Sequence, residues 1–210
     1  MGNGQLGGVL TIAHCPLPIA HVDTYDAIAR RTSIRTFKPE PVPRWAIERL
    51  LAAAVRAPNH KLTEPWRFVV LTGDAKRQYA EIKREHRARK FPDPGAPDAS
   101  KAIEKTYREH QQTPAFILVL CALAEDPVRR EEDYGATMMA IENMMVAATA
   151  DALGTFLRTG GIMDHPDVRS LAGATDGERI VGIVSIGYEA TQPEPTPRKK
   201  PLSEIVTWLD

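Results

Sequence analysis

Two long apolar runs constrain the fold of this chain more than any other feature: AFILVLCALA at residues 115–124 and ERIVGIVSIGY at residues 178–188. The first run is apolar throughout, and the second is interrupted only by Ser185 after its first two residues. Apolar runs of this length predict strands that are buried in a sheet. A third run, RFVVLT at residues 67–72, also predicts a strand, because it is too short and too rich in β-branched residues for a helix. The sequence therefore predicts a buried sheet with at least these three strands.

Segments with helical periodicity separate these runs. Asp23 or Thr24 is a candidate N-cap for a first helix that ends near Arg31, and a second helix lies between Pro43 and Pro58. DAKRQYAEIKREHRARKF and KAIEKTYREHQQ predict two more helices, with the proline-rich loop FPDPGAPDAS between them, and HPDVRSLAG predicts a short one.

A methionine-rich stretch, YGATMMAIENMMVAATADALG at residues 134–154, predicts a long helix with Gly154 as its C-cap. This helix is apolar nearly all round, so it must be buried on more than one side. Its methionines are Met138, Met139, Met144 and Met145, and they form an adaptable apolar surface. The helix can lie in the core of one subunit or at the interface of a dimer, and the sequence favours neither location. We expect Arg158, in GTFLRTGGIM, to lie in the turn that follows this helix.

Composition excludes several functional classes. A chain of 210 residues that is 43% hydrophobic predicts one domain with one core. Its 27 basic and 27 acidic residues cancel, which argues against a nucleic-acid partner. Cys15 and Cys121 are too far apart for a CxxC pair or a thiolate zinc cage, and the histidines show no metal-ligand spacing. Without an apolar run of roughly 18 to 20 residues, no membrane span is predicted, and we expect a cytoplasmic protein.

Both ends of the chain differ from its middle. GNGQLGG at residues 2–8 matches G-x-G-x-x-G formally, but no strand precedes it, so residues 1–22 are expected to form a flexible extension. Residues 23–210 then form the single domain. After Tyr188 the chain is proline-rich, then basic, and it ends with apolar side chains that include Trp208. This pattern predicts that residues 190–210 form an arm directed toward a partner subunit.

Several cationic side chains lie at the predicted junctions between helices and strands: Arg30, Arg31, Arg56, His60 and Arg158. Each alone is typical of a solvated or helix-ending charge. Together they suit a cofactor that carries a phosphate group.

Four ordered motifs strengthen this interpretation: RRTSIRTFKPEPVP, RAPNHKLTEPWRFVVLTG, GTFLRTGG and PRKKPLSEIVTW. In this order they resemble the nitroreductase family of FMN-dependent oxidoreductases, and most closely its compact branch with A-P-[ND]-H-K before P-W-R-F. The match runs from about Asp23 to the C-terminus. The resemblance implies an α+β fold, a three-layer α-β-α sandwich, in an intertwined homodimer with two FMN sites at the interface.

The resemblance also implies a set of cofactor-binding residues. Arg30, Arg31 and Thr32 would contact the flavin phosphate and ribityl chain, and Arg56 and His60 would approach FMN from the partner subunit. Leu157, Arg158 and Thr159 would form a further contact, with Leu157 replacing an aromatic residue of the family. No catalytic side chain is implied, because FMN carries the hydride chemistry.

The activity implied by the resemblance is a ping-pong reaction. NAD(P)H reduces FMN, leaves, and is replaced by a small aromatic or quinone-like acceptor such as a nitroaromatic. Two alternatives stay open: a flavin-binding redox sensor or carrier with little turnover, and a structural α+β protein with scattered surface arginines.

Overall fold

Four antiparallel strands form a sheet in the order β1-β2-β4-β3. They are β1 (Trp66–Leu71), β2 (Ala115–Ala122), β3 (Leu153–Arg158) and β4 (Glu178–Tyr188). The computed structural model describes residues 22–195 and 197–209. The three strands predicted from apolar runs are confirmed, and β3 is a fourth strand that the sequence did not indicate.

Six α-helices accompany these strands in the part of the chain that the structure describes. They are α1 (Thr24–Arg30), α2 (Arg44–Ala54), α3 (Gly73–Ala88), α4 (Pro97–Gln112), α5 (Pro127–Ala150) and α6 (Pro166–Leu171). Asp23 is the N-cap of α1, since its carboxylate accepts a hydrogen bond from the Tyr25 N–H at 2.6 Å. Helix α4 begins inside the predicted loop because Pro97 is compatible with the first turn of a helix.

The helices cover both faces of the sheet. Ile117 and Val119 of β2 pack in one cluster with α2 and α5, while Phe116 and Leu118 pack in a second cluster with α3 and α6. Helix α4 packs on α3 in that second layer. Because successive strand residues point to opposite faces, a strand that is covered on both must be apolar throughout. The predicted α+β fold, a three-layer α-β-α sandwich, is confirmed.

The predicted C-cap role of Gly154 is wrong. Helix α5 ends at Ala150 with Asp151 as its C-cap, and Ala152 takes the left-handed conformation at φ 56°. Gly154 instead lies in β3, where an added Cβ would be 2.8 Å from Ile34 Cγ1 and 2.7 Å from Glu189 Cγ. The glycine allows these side chains to approach the strand, so its position reflects packing between segments and not the end of a helix.

Helix α5 and the C-terminal segment leave apolar side chains uncovered in the single chain. Met144 and Met145 are buried in the core, whereas Met139 is 44% exposed. Beyond β4, Trp208 is 84% exposed, and it is accompanied by exposed Leu202, Ile205, Val206 and Leu209. One side of α5, with Met144 and Met145, therefore lies in the core of the chain. The side with Met139 is exposed and can contact another subunit.

The prediction for residues 1–22 falls outside the described residues, apart from Val22. Within residues 22–195 and 197–209, none of the helices combines the length and the apolar character that a membrane span requires.

Candidate functional site

Two arginine side chains share the ring of Phe156 in strand β3. The guanidinium carbon of Arg158 lies 4.3 Å from the ring centroid, and that of Arg35 lies 4.4 Å from it. Each contact is a favourable cation–π interaction. Among the described residues, neither arginine takes part in an ion pair with a carboxylate. Two positive charges therefore lie against one aromatic ring, and no carboxylate of the described residues forms an ion pair with either.

Arg158 is the more deeply placed of the two. Its guanidinium donates a hydrogen bond to Ser185 Oγ of β4, the residue that pairs with Phe156 in the sheet register. Burial lowers the pKa of Arg158, and the neighbouring Arg35 charge lowers it further. Nearby, the Tyr79 hydroxyl is buried without a hydrogen-bond partner among the described residues. A half-buried cation in such surroundings attracts an anion more strongly than an exposed one, because less water screens its charge.

The end of β3 lies unusually close to β4 because β4 has a glycine there. A Cβ added to Gly182 would be 2.8 Å from Leu157 Cδ1 and 3.1 Å from the Arg158 carbonyl oxygen. Gly160 follows at φ 110°, a conformation that favours glycine. The chain therefore leaves β3 through a glycine turn immediately after Thr159.

The sequence placed Arg158 in a turn after the methionine-rich helix, and this is wrong: Leu157 and Arg158 are the last two residues of β3. Consecutive strand residues point to opposite faces. Leu157 accordingly packs against the α2–α5 cluster, while Arg158 lies on the α3 face with Phe156. The two side chains cannot line the same side of a pocket.

The segment after α1 runs along the outer edge of β3. The Ile34 N–H donates to the Thr155 carbonyl oxygen at 2.9 Å, and Ser33 forms a parallel bridge with Thr155. This pairing brings Arg35 to Phe156. Arg35 was missed by sequence reasoning although it lies within the quoted motif RRTSIRTF. One feature of the sequence could have indicated it: Arg35 lies four residues after Arg31, in a segment that was already notable for its positive charge.

Arg30 and Thr32 line a cavity of 710 Å³ together with Lys38, Tyr188 and the start of the C-terminal segment. Arg31 points elsewhere, since its Nε lies 3.4 Å from Glu142 Oε1 of α5. The structure thus brings Arg30 and Thr32 to one cavity, and it holds Arg31 against α5.

Arg56 and His60 lie in a different region of the chain. His60 Nδ1 is 3.6 Å from Glu132 Oε1, and Arg56 is exposed. Glu132 and Glu142, the partners of His60 and Arg31, are ten residues apart on α5 (142 − 132 = 10). At 1.5 Å per residue, this places them about 15 Å apart along the helix. Within one chain, His60 and Arg31 therefore contact α5 at well-separated points.

The described residues provide neither a metal-binding cluster nor a reactive cysteine. No group of three or more His, Cys, Asp or Glu side chains in residues 22–195 and 197–209 is placed to hold a metal ion. Cys121 is buried, and burial raises the pKa of its thiol. The thiol is therefore protonated at neutral pH and poorly reactive.

Arg67, which lies close to the predicted cationic residues in sequence, has a structural role. Its guanidinium donates to both carboxylate oxygens of Glu178, at 2.6 and 2.8 Å, and to the Ala172 and Gly173 carbonyl oxygens at 3.2 and 3.0 Å. A bidentate pair of this kind is strong and directional. It joins β1 to the start of β4, which lie on either side of β2.

The Arg67–Glu178 pair predicts a specific pH dependence of stability. The hydrogen bond from Arg67 lowers the pKa of Glu178 from 4.5 to about 2. Since the folded pKa lies below the unfolded value, the contribution is present above about pH 4.5 and is lost as the pH falls toward 2. Glu178→Gln should lower the free energy of unfolding by about 1–2 kcal/mol at pH 7, a figure reduced for the partial exposure of Arg67, and by much less near pH 2, where the carboxyl of Glu178 is largely protonated. Urea unfolding at both pH values measures this.

The matched control is Glu48→Gln, which removes one carboxylate from an exposed pair with Arg44 on α2. We expect it to leave the free energy of unfolding unchanged within error at either pH, because the pair is exposed to solvent. If the free energy of unfolding depended on pH in the same way in the wild-type chain and in Glu178→Gln, the Arg67–Glu178 pair would not be the source of the predicted pH dependence.

The chain is similar to known proteins in sequence and in structure. A model described as the nitroreductase family matches residues 28–188. The Bacillus subtilis (strain 168) protein named "Putative NAD(P)H nitroreductase YfhC" is 32% identical over 170 residues, which cover 80% of this chain and 86% of that protein. A crystal structure of a nitroreductase-like family protein from Bacillus cereus superimposes with a TM-score of 0.77 at 29% identity, covering 92% of this chain and 100% of that one.

A more distant structure has the same fold. The FMN and NADPH-dependent nitroreductase NfnB from sphigopyxis sp. strain HMH superimposes with a TM-score of 0.71 at 21% identity. The match covers 90% of this chain and 100% of that one.

Proposed function

Since this chain belongs to the nitroreductase family, we propose that it is an FMN-dependent NAD(P)H oxidoreductase. The observation that carries the proposal is the pair of guanidinium groups of Arg35 and Arg158 on the Phe156 ring, which lack a carboxylate partner among the described residues. The names of YfhC and NfnB, which refer to NAD(P)H and to FMN with NADPH respectively, support it.

The phosphate of FMN is the anion that these guanidinium groups fit best. A phosphate dianion is matched by the fork of N–H donors on arginine, and the partial burial of Arg158 strengthens its bond. We assign Arg158 and Arg35 to the phosphate, and Arg30 and Thr32, which line one cavity, to the phosphate and ribityl region. Arg31 would have to leave Glu142 to join them. Leu157 and Thr159 flank Arg158 at the end of β3.

FMN, when bound, supplies the hydride chemistry, so the protein needs to bind and orient it. The close approach at Gly182 fixes the end of β3, and with it the backbone of Leu157 and Thr159, relative to the sheet. His60 is a hydrogen-bond donor for the polar edge of the flavin ring. We propose that NAD(P)H and a small aromatic or quinone-like acceptor, such as a nitroaromatic, use one open site in turn, which gives ping-pong kinetics.

The proposed site requires a homodimer. His60 and Arg31 contact α5 at points about 15 Å apart, and we propose that they reach one flavin from different subunits. The exposed apolar side chains of the C-terminal segment, Trp208 at 84% and Leu209 at 93%, also need a surface to cover them. We propose that residues 190–210 of each subunit lie across the partner and that His60 and Arg56 reach the partner's flavin.

The experiment that tests the proposal is extraction of the cofactor from the purified protein. We expect a yellow preparation from which heat or acid releases FMN at about one molecule per subunit. Chromatography against FMN and FAD standards identifies the flavin. A colourless preparation that does not take up added FMN, or one that releases FAD, would contradict the proposal.

A further inference from the structure

The turn that carries His60 is tied to α5 by a buried carboxylate. The Thr63 hydroxyl donates a hydrogen bond of 2.6 Å to Asp133 Oδ1, although the two residues are 70 positions apart in sequence. Asp133 is only 3% exposed, and its other oxygen, Oδ2, lies 3.7 Å from Arg129 Nε. A buried carboxylate needs such partners, so this contact fixes Thr63 relative to the helix.

The turn itself has an unusual backbone. Lys61, Leu62 and Glu64 have φ values of 53°, 53° and 43°, in the left-handed region that residues other than glycine rarely adopt. Leu62 is 81% exposed, so burial of its side chain does not favour this conformation. Backbone strain of this kind persists only where surrounding contacts impose it, and it is concentrated at functional sites.

Two side-chain contacts impose the shape of the turn. On one side, Asn59 Oδ1 accepts a hydrogen bond from the Glu64 N–H at 2.9 Å. On the other, Thr63 binds Asp133. The residue before Asp133 on the helix is Glu132, which lies 3.6 Å from His60 Nδ1. Two successive acidic residues of α5 therefore hold the backbone of the turn and the ring of its histidine.

We propose that Asp133 and Thr63 are positioning residues for the flavin site, because their hydrogen bond holds the His60–Glu64 turn in the shape that presents His60 to the cofactor. This inference rests on the proposed function, in which His60 contacts the flavin bound by the partner subunit. Neither Asp133 nor Thr63 needs to touch the flavin, and both act through the turn.

The first test compares Thr63→Val with Thr63→Ser in the full chain. Valine keeps the shape of the side chain and removes the hydroxyl, so the Kd for FMN is expected to rise about tenfold, the effect of one lost hydrogen bond to a charged group. Serine keeps the hydroxyl and should restore affinity to within about twofold of the wild-type Kd. Fluorescence titration with FMN measures the Kd values. Thr106→Val is the matched control, because its hydroxyl binds the Ala102 carbonyl within α4, away from the turn.

The second test does not depend on flavin. Hydrogen–deuterium exchange of the amides at residues 60–64, in the full chain without added FMN, should be about tenfold faster in Thr63→Val than in the wild-type chain or in Thr63→Ser. An unchanged exchange rate would overturn the inference, as would an unchanged FMN affinity or an equal loss of affinity in both Thr63 variants. If the wild-type chain bound no FMN, the proposed function would fail, and exchange alone would decide whether Asp133 holds the turn.

Discussion

Arg158→Glu is expected to abolish FMN retention while the protein stays folded. Arg158 lies at the end of β3, half-buried, beside a second guanidinium that lacks a carboxylate partner among the described residues. Glutamate removes the charge-assisted hydrogen bonds and adds a negative charge next to a dianion. Their combined loss of about 3–4 kcal/mol corresponds to an increase in Kd of about 100- to 1,000-fold. The flavin content after gel filtration and the Kd from fluorescence titration measure the effect.

Lys101→Glu is the control for this charge reversal, because Lys101 is exposed on α4 and forms no ion pair with another described residue. It should leave the FMN content unchanged. Circular dichroism checks that Arg158→Glu remains folded. Wild-type FMN affinity in folded Arg158→Glu would remove Arg158 from the site.

Truncation after Thr191 is expected to dissociate the dimer and to release FMN at the same time. The deleted segment holds Leu202, Ile205, Val206, Trp208 and Leu209, all exposed in the single chain. Obligate interfaces bury more than about 2,000 Å², and an arm of this composition would supply much of that area. Folding and association are coupled in such dimers, so we also expect a lower melting temperature. Light scattering gives the mass, and absorbance gives the flavin content.

Glu204→Gln provides the control for the truncation, since it changes a charge in the same segment and keeps every apolar side chain. It should remain a flavin-bound dimer. If the truncated chain also remained dimeric with its full complement of FMN, the arm would have no role in the assembly.

The sheet and most helices could be predicted because their signals are local. A strand covered on both faces, such as β2, must be apolar at every position, and capping residues such as Asp23 mark helix ends directly. The resemblance to the family then supplied the three-layer arrangement, which no local pattern contains. Strand β3 escaped prediction because Gly154, Thr155 and Arg158 interrupt its apolar pattern. The reasons for these residues lie in other segments: Ile34 and Glu189 crowd Gly154.

The candidate site was only partly predictable for the same reason. Charge clusters in the sequence pointed to Arg30, Arg31 and Arg158, but the direction of each side chain depends on strand register and on helix packing. The register places Arg158 with Phe156 and Ser185, on the face opposite Leu157. Arg35 becomes part of the site only because the segment before it pairs with Thr155. No spacing in the sequence indicates that Arg67 binds Glu178, 111 positions away.

Anaerobic mixing of the purified yellow protein with NADH or NADPH tests directly whether this chain is an FMN-dependent oxidoreductase. We expect the absorbance band of the bound flavin to bleach rapidly with at least one donor and to return when a nitroaromatic or a quinone is added. That sequence of two separate half-reactions is what a ping-pong oxidoreductase requires. A flavin band that stays unchanged with both donors would contradict the proposed activity, and it would favour a flavin-binding sensor or carrier with little turnover.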